Sequence, residues 1–186
     1  MIYSEGRGGP VLTAFFRDLG TLSVFGAVFL RSRAWLKHGS GTAEVDKSEC
    51  ILVFCTSQYF EKKNSLKELY RAVVQRRPIL AMLEPDVTQE GGLTQPAITE
   101  MLTSEKLDGV KFEWLQKQHT KWQKEGALLP GAFDHAPSGA EVAASLFAVE
   151  PVEWNRLPHF QDVTIRLLAE RGILGGKGGA LYLQGE

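Results

Sequence analysis

The sequence predicts one α/β domain in which helices flank a central parallel sheet. Two continuous apolar runs of strand length, Ile51–Cys55 and Ile79–Leu83, enclose the segment Asn64–Gln75, whose apolar residues recur at helical spacing. A continuous apolar run is typical of a strand covered on both faces, as in a parallel sheet, whereas alternation leaves one face in water. A strand, a helix and a strand within the 33 residues from Ile51 to Leu83 predict a βαβ unit, whose strands are parallel.

Size, composition and charge narrow the class of protein. The chain has 186 residues, 44% hydrophobic and 23% charged, which suits one globular domain. A net charge of −1 gives no global basic field for nucleic acid, so we expect no nucleic-acid partner. The most apolar stretch, Thr21–Leu30, is too short to cross a bilayer, and the N-terminus lacks a secretory pattern. We therefore expect a cytoplasmic protein with no membrane partner.

The two cysteines are also typical of a protein in a reducing compartment such as the cytoplasm. Cys50 and Cys55 are five residues apart, and this odd offset places them on opposite faces of the predicted strand. They are therefore not expected to form a disulfide with each other. No CxxC motif or Cys/His cluster is present, so no metal site is predicted. We expect two reduced, partly buried thiols.

Weaker patterns predict the remaining elements. Val11–Leu19 carries apolar residues at helical spacing, and Leu22–Leu30 is typical of a strand. Short helices, and one weak strand at Val149–Glu153, are expected further on; the helices are Thr42–Glu49, Pro96–Glu105, Val110–Lys124, Ser138–Ala148 and Phe160–Arg171. This divides the chain into a flexible N-terminus or remnant first strand (1–10), an α/β domain (11–171) and a Gly-rich flexible tail (172–186).

The predicted helix between the two strands has a recognisable start. Asn64 or Ser65 is a candidate N-cap, and Glu68 follows Ser65 by three residues, as in a capping box. On a helical wheel Glu68 lies opposite the apolar face, with Arg71 three residues further on. This interpretation makes Glu68 a solvent-facing residue at the start of a helix.

The residues after the first predicted strand carry a motif. The strand ends in a small residue, Ser57–Phe60 follows, and the next helix opens with Asn64–Leu69. This order resembles TIR domains of the plant resistance type. In that family a strand of the form I-V-V-F-S is followed by x-x-Y, and the next helix opens with Trp, Cys, Leu, any residue, Glu, Leu. The resemblance covers about forty residues, from Lys47 to Asp86.

The match within this helix is partial. Leu66, Glu68 and Leu69 agree with the family, whereas Asn64 and Ser65 stand where the family has Trp and Cys. The N-terminus also departs from the pattern, because residues 1–10 make a poor first strand. The resemblance therefore implies a flavodoxin-like three-layer fold, a central parallel sheet flanked by helices, whose first strand is missing or replaced.

The resemblance also implies a site and a partner. In the family the Glu of this helix is the catalytic residue of an NAD+ glycohydrolase, which places catalysis at Glu68. Ser57, Tyr59 and Ser65 are the matching candidates for binding NAD+, which would be a substrate and not a resident cofactor. Other TIR domains, or a second copy of this chain, are the implied protein partners.

Three functions stay open at this point. The first is a TIR-like signalling domain that acts by homotypic association, with or without NAD+ hydrolysis. The second is an NAD+ glycohydrolase whose activity is the output. The third is a flavodoxin-like nucleotide-binding domain unrelated to TIR. Glu84 and Asp86, at the carboxyl end of the second strand, are a further acidic candidate, although a Pro-Asp turn explains them equally well.

Overall fold

A computed structural model describes residues 2–3, 28–30, 41–48, 50–84, 86–88, 91–107, 110–154, 157–168, 171 and 182–183. The predicted helix Val11–Leu19 and most of the predicted strand Leu22–Leu30 lie outside these residues. The same holds for most of the two predicted flexible ends, 1–10 and 172–186. These remain predictions.

The elements alternate between short strands and helices. The strands are β1 (Ile2–Tyr3), β2 (Val28–Leu30), β3 (Cys50–Cys55), β4 (Ile79–Leu83), β5 (Lys106–Leu107), β6 (Val110–Lys111), β7 (Val152–Glu153) and β8 (Tyr182–Leu183). The helices are α1 (Gly41–Lys47), α2 (Ser57–Glu61), α3 (Lys63–Val74), α4 (Gln95–Thr103), α5 (Phe112–Lys124), α6 (Gly139–Leu146) and α7 (Pro158–Leu168).

The central sheet has the strand order β2-β3-β4-β7. Strand β3 is parallel to β4, with Ile51 opposite Ile79, and β4 is parallel to β7, with Met82 opposite Val152. Strand β2 pairs with β3 on the side away from β4, and this pairing is antiparallel. The predicted βαβ unit β3–α3–β4 is therefore confirmed, and the fold is α/β with three adjacent parallel strands. Two small antiparallel pairs, β1 with β8 and β5 with β6, lie outside this sheet.

Helices cover both faces of the sheet. On one face Val53 and Cys55 join a large apolar cluster with residues of helices α1 to α6. On the other face Cys50 and Leu52 pack in a smaller cluster with Leu168 of α7. The two cysteines are buried free thiols on opposite faces, as predicted, and burial raises the pKa of Cys50 to about 11. Both faces of the sheet are therefore covered, and this explains the continuous apolar runs of β3 and β4.

Two predicted helix starts had different outcomes. The prediction of a capping box at Ser65 was wrong. Helix α3 begins at Lys63, and its N-cap residue, Lys62, makes no side-chain cap hydrogen bond. Ser65 is instead buried inside the first turns of α3. The predicted helix start at Ser138 is confirmed, because Ser138 is the N-cap residue of α6 and Glu141 completes a capping box there. Within the described part of the chain, no helix is long and apolar enough to cross a membrane.

Candidate functional site

Glu68 lies where α3 meets α1. A β-carbon built on Gly41, the first residue of α1, would lie 1.6 Å from Oε1 of Glu68. The carboxyl group therefore contacts the backbone of α1 directly, and Glu68 is half-buried. The expectation of a solvent-facing Glu68 was wrong. The helical pattern of α3 could not reveal this, because the covering helix lies more than twenty residues earlier in the chain.

Burial changes the acidity of this carboxyl group. Desolvation raises the pKa of Glu68 from its ordinary 4.5 to about 7, and the positive charge of Lys67 opposes the rise. Tyr59 of α2 is close enough for the charge of Glu68 to raise its phenol pKa, although burial is the larger cause. A group with a pKa near 7 exchanges its proton readily at neutral pH, as general acids and bases do. Glu68 thus has the acidity that acid–base chemistry requires.

The three candidates for NAD+ binding occupy two places. Tyr59 and Ser65 are both buried, and the Tyr59 hydroxyl donates to the backbone oxygen of Ser65 at 3.1 Å. Ser57 is half-buried and its amide donates to the carbonyl of Gly91 at 2.9 Å. The structure therefore brings Tyr59 and Ser65 together near Glu68. Ser57 contacts the loop that follows β4.

The α1–α3 contact is fixed at its other end by an ion pair. Nε and Nη2 of Arg71 donate to the two carboxylate oxygens of Asp46, each at 2.8 Å. Arg71 is buried and stacks over the ring of Trp122, with its guanidinium carbon 4.7 Å from the ring centroid. Arg77 also donates to the carbonyl of Asp46. Two arginines thus bind the last turn of α1, which fixes the helix beside Glu68.

Sequence reasoning missed both partners in this contact. Arg71 follows Glu68 by one turn, but its guanidinium binds Asp46, which lies 25 residues earlier. No local pattern connects residues at that separation. Gly41 lies just before the predicted helix Thr42–Glu49, and only the folded position of α1 reveals that its missing side chain leaves room for Glu68. One signal was available, namely that the predicted helix Thr42–Glu49 carries the carboxylate of Asp46, although no local pattern indicates its partner.

The second acidic candidate has a structural role. Glu84 is buried at the end of β4, where its carboxylate accepts a hydrogen bond from the Asp86 amide at 3.2 Å. Asp86 in turn accepts from the amide of Thr88 at 3.0 Å. These bonds are those of a turn that follows a strand. Among the described residues, no group of three or more His, Cys, Asp or Glu side chains could hold a metal ion.

Comparisons with known proteins add no relative. No family model matches the chain, and neither a curated protein nor a solved structure matches it. Three features of the residues themselves bear on function: the motif around Glu68, the contact of Glu68 with Gly41, and the acidity that burial gives its carboxyl group.

Proposed function

We propose that this chain is a TIR-like domain that binds NAD+ beside Glu68 and cleaves the nicotinamide–ribose bond. The observation that carries the proposal is the half-buried carboxyl group of Glu68, whose pKa is raised to about 7. It occupies the helix position at which the family motif has its catalytic glutamate. Carboxyl groups with strongly shifted acidity are concentrated at functional sites, and this one coincides with a motif match.

The chemistry of the bond explains why a carboxylate is needed. As the bond from ribose C1′ to the nicotinamide nitrogen breaks, its electron pair goes to nicotinamide and positive charge develops on the ribose. A neighbouring carboxylate stabilises this oxocarbenium-like state or traps it covalently. Water then adds to C1′ and loses a proton, which gives ADP-ribose. Ionised Glu68 would supply the stabilising charge, and its pKa suits it to accept the proton of water.

The architecture supports the proposal at a coarser level. The parallel order β3-β4-β7, with helices on both faces, is compatible with the flavodoxin-like three-layer fold that we propose for the whole domain. Helix α3 begins after the carboxyl end of β3, the side on which α/β proteins place their ligands. Ser57 is half-buried on this side and is the proposed NAD+ contact that a ligand could reach. Tyr59 and Ser65 would shape the wall behind it.

The test is release of nicotinamide from NAD+ by the purified chain, measured by chromatography at low and at high protein concentration. We expect release that increases as pH rises through about 7, because Glu68 ionises there. Glu68→Gln should lower the rate by about 100-fold or more, the range for removal of an acid–base group. Glu61→Gln, on the exposed end of α2, is the matched control and should leave the rate unchanged. No release at any protein concentration would contradict the proposal.

A second candidate function is homotypic association without turnover. One observation favours it: Leu157, Phe160 and Val163 are more than half exposed, at 60%, 51% and 53%, and recur every third residue at α7. Such an apolar row can pack against the same row of a second copy. Sedimentation of the chain should then show concentration-dependent dimers that Phe160→Glu abolishes. A monomer at all concentrations would contradict this candidate.

A further inference from the structure

We propose that Gly41 is a positioning residue for Glu68. Because residue 41 has no side chain, the Glu68 carboxyl group lies against the first residue of α1, and a larger residue would displace it toward solvent. The inference rests on the proposed function, in which Glu68 is the reacting carboxylate. It adds a second residue, 27 positions earlier in the chain, to the determinants of that site.

The geometry leaves no space for a side chain at residue 41. A β-carbon there would lie 1.6 Å from Oε1, 2.5 Å from Cδ and 3.0 Å from Cγ of Glu68. All three distances are shorter than van der Waals contact between carbon and these atoms allows. The atoms nearest to the β-carbon belong to the end of a flexible side chain, so the carboxyl group is the part that moves. With an alanine at residue 41, the Glu68 carboxyl group could not keep its present position.

Helix α1 cannot simply move away to relieve the clash. The bidentate bond from Arg71 to Asp46 fixes the far end of α1 against α3, at 2.8 Å for each contact. Val45, one residue before Asp46, is fully buried in the large apolar cluster. A displacement of α1 would therefore take the carboxylate away from the buried guanidinium group of Arg71 and expose an apolar side chain. Rotation of the Glu68 side chain is the cheaper response.

Burial, and not a neighbouring charge, has the largest effect on the pKa of Glu68. Lys67, on the same helix, is the cation that acts on it. Tyr59 faces it from α2, and burial keeps that phenol protonated at neutral pH. On α1, Asp46 is bound by Arg71, and Glu44 is paired with Lys47 at 3.1 Å. Moving the carboxyl group into solvent therefore removes the dominant cause of its raised pKa.

The test is Gly41→Ala, because the backbone of Gly41 lies outside the positive-φ region and accepts alanine. The pKa of Glu68 is measured by carbon-13 NMR of its carboxyl carbon, assigned with Glu68→Gln. We expect it to fall from about 7 toward 4.5. The pH midpoint of nicotinamide release should fall with it, and the rate should drop at least 10-fold. Lys121→Ala, at an exposed position of α5, should change neither quantity.

A stability measurement separates this contact from a general defect of α1. Gly41→Ala should lower the unfolding midpoint in the natural chain but not in a Glu68→Ala background, where the clashing side chain is absent. Equal losses in both backgrounds, or an unchanged Glu68 pKa in Gly41→Ala, would overturn the positioning role even if nicotinamide is released. If the natural chain releases none while the pKa still falls, the contact is supported and the proposed function is overturned.

Discussion

The β3–α3–β4 unit and the α1–α3 contact differ in how far apart their residues lie in the chain and in the interactions that stabilise them. The unit is made of consecutive segments with continuous apolar strands, and Ile51, Val53 and Ile79 are all buried in it. The contact joins Gly41, Asp46, Glu68 and Arg71, polar or small residues that come from two separate helices. Both regions are tightly packed. The unit is stabilised by apolar burial, whereas the contact depends on one ion pair and on the absence of one side chain.

The largest expected effect lies in the first region. Val53 is fully buried in β3, between neighbouring strands and under the helices of the larger cluster. Val53→Asp places a carboxyl group there without a partner, which should cost more than about 4 kcal/mol and prevent folding. Val163→Asp, the same change at a side chain that is 53% exposed, should leave the chain folded. Circular dichroism and thermal melting of both variants distinguish a core strand from a peripheral one.

This difference also explains what could be predicted from the sequence. A strand covered on both faces has a local signature, so Ile51–Cys55 and Ile79–Leu83 were placed correctly with their parallel pairing. The antiparallel direction of β2 has no such signature, because pairing with β3 is decided by the path of the chain. The exposure of Glu68 was mispredicted for a similar reason. A helical wheel reports which residues share a face, and it does not report which other helix covers that face.

The ion pair of the second region should give the next largest effect. Asp46→Ala leaves the guanidinium group of Arg71 buried without its carboxylate, and loss of one partner of a buried pair costs about 3–5 kcal/mol. Because the Asp46 side chain is 27% exposed, we expect the lower end of that range. Lys47→Ala breaks the neighbouring pair with Glu44, in which the lysine side chain is 67% exposed. That control should cost less than about 1 kcal/mol, and equal losses in urea unfolding would contradict the role given to Asp46.

A second glycine, Gly139, lies against backbone atoms, whereas Gly41 lies against a side chain. A β-carbon on Gly139, at the start of α6, would lie 1.9 Å from the carbonyl oxygen of Leu102 in α4. Because the obstacle here is backbone, α4 and α6 must separate, and Gly139→Ala should cost about 1–3 kcal/mol, as overpacking does. Gly41→Ala meets only the mobile end of Glu68 and should cost less. The comparison is read from unfolding midpoints of the two variants, and a greater loss at residue 41 would mean that Glu68 cannot rotate away.

The smallest expected effect is a dependence of stability on pH that belongs to Glu68 alone. Its pKa is about 7 in the folded chain against an ordinary 4.5, so the folded state binds the proton more tightly than the unfolded state. The stability that this carboxyl group contributes is therefore fully present below pH 4.5 and is lost as pH rises through about 7. Because the group is partly solvated, we expect a loss of about 1–2 kcal/mol, less than the full shift implies.

Glu68→Gln removes this ionisation and keeps the shape of the side chain. The variant should match the natural chain near pH 4.5 and become the more stable of the two above pH 7, when both are unfolded in urea at a series of pH values. Glu61→Gln removes an exposed carboxylate and corrects for the general loss of one negative charge. A constant difference between Glu68→Gln and the natural chain across this range would mean that Glu68 is solvated. The α1–α3 contact would then lack the desolvated carboxyl group on which the proposed chemistry depends.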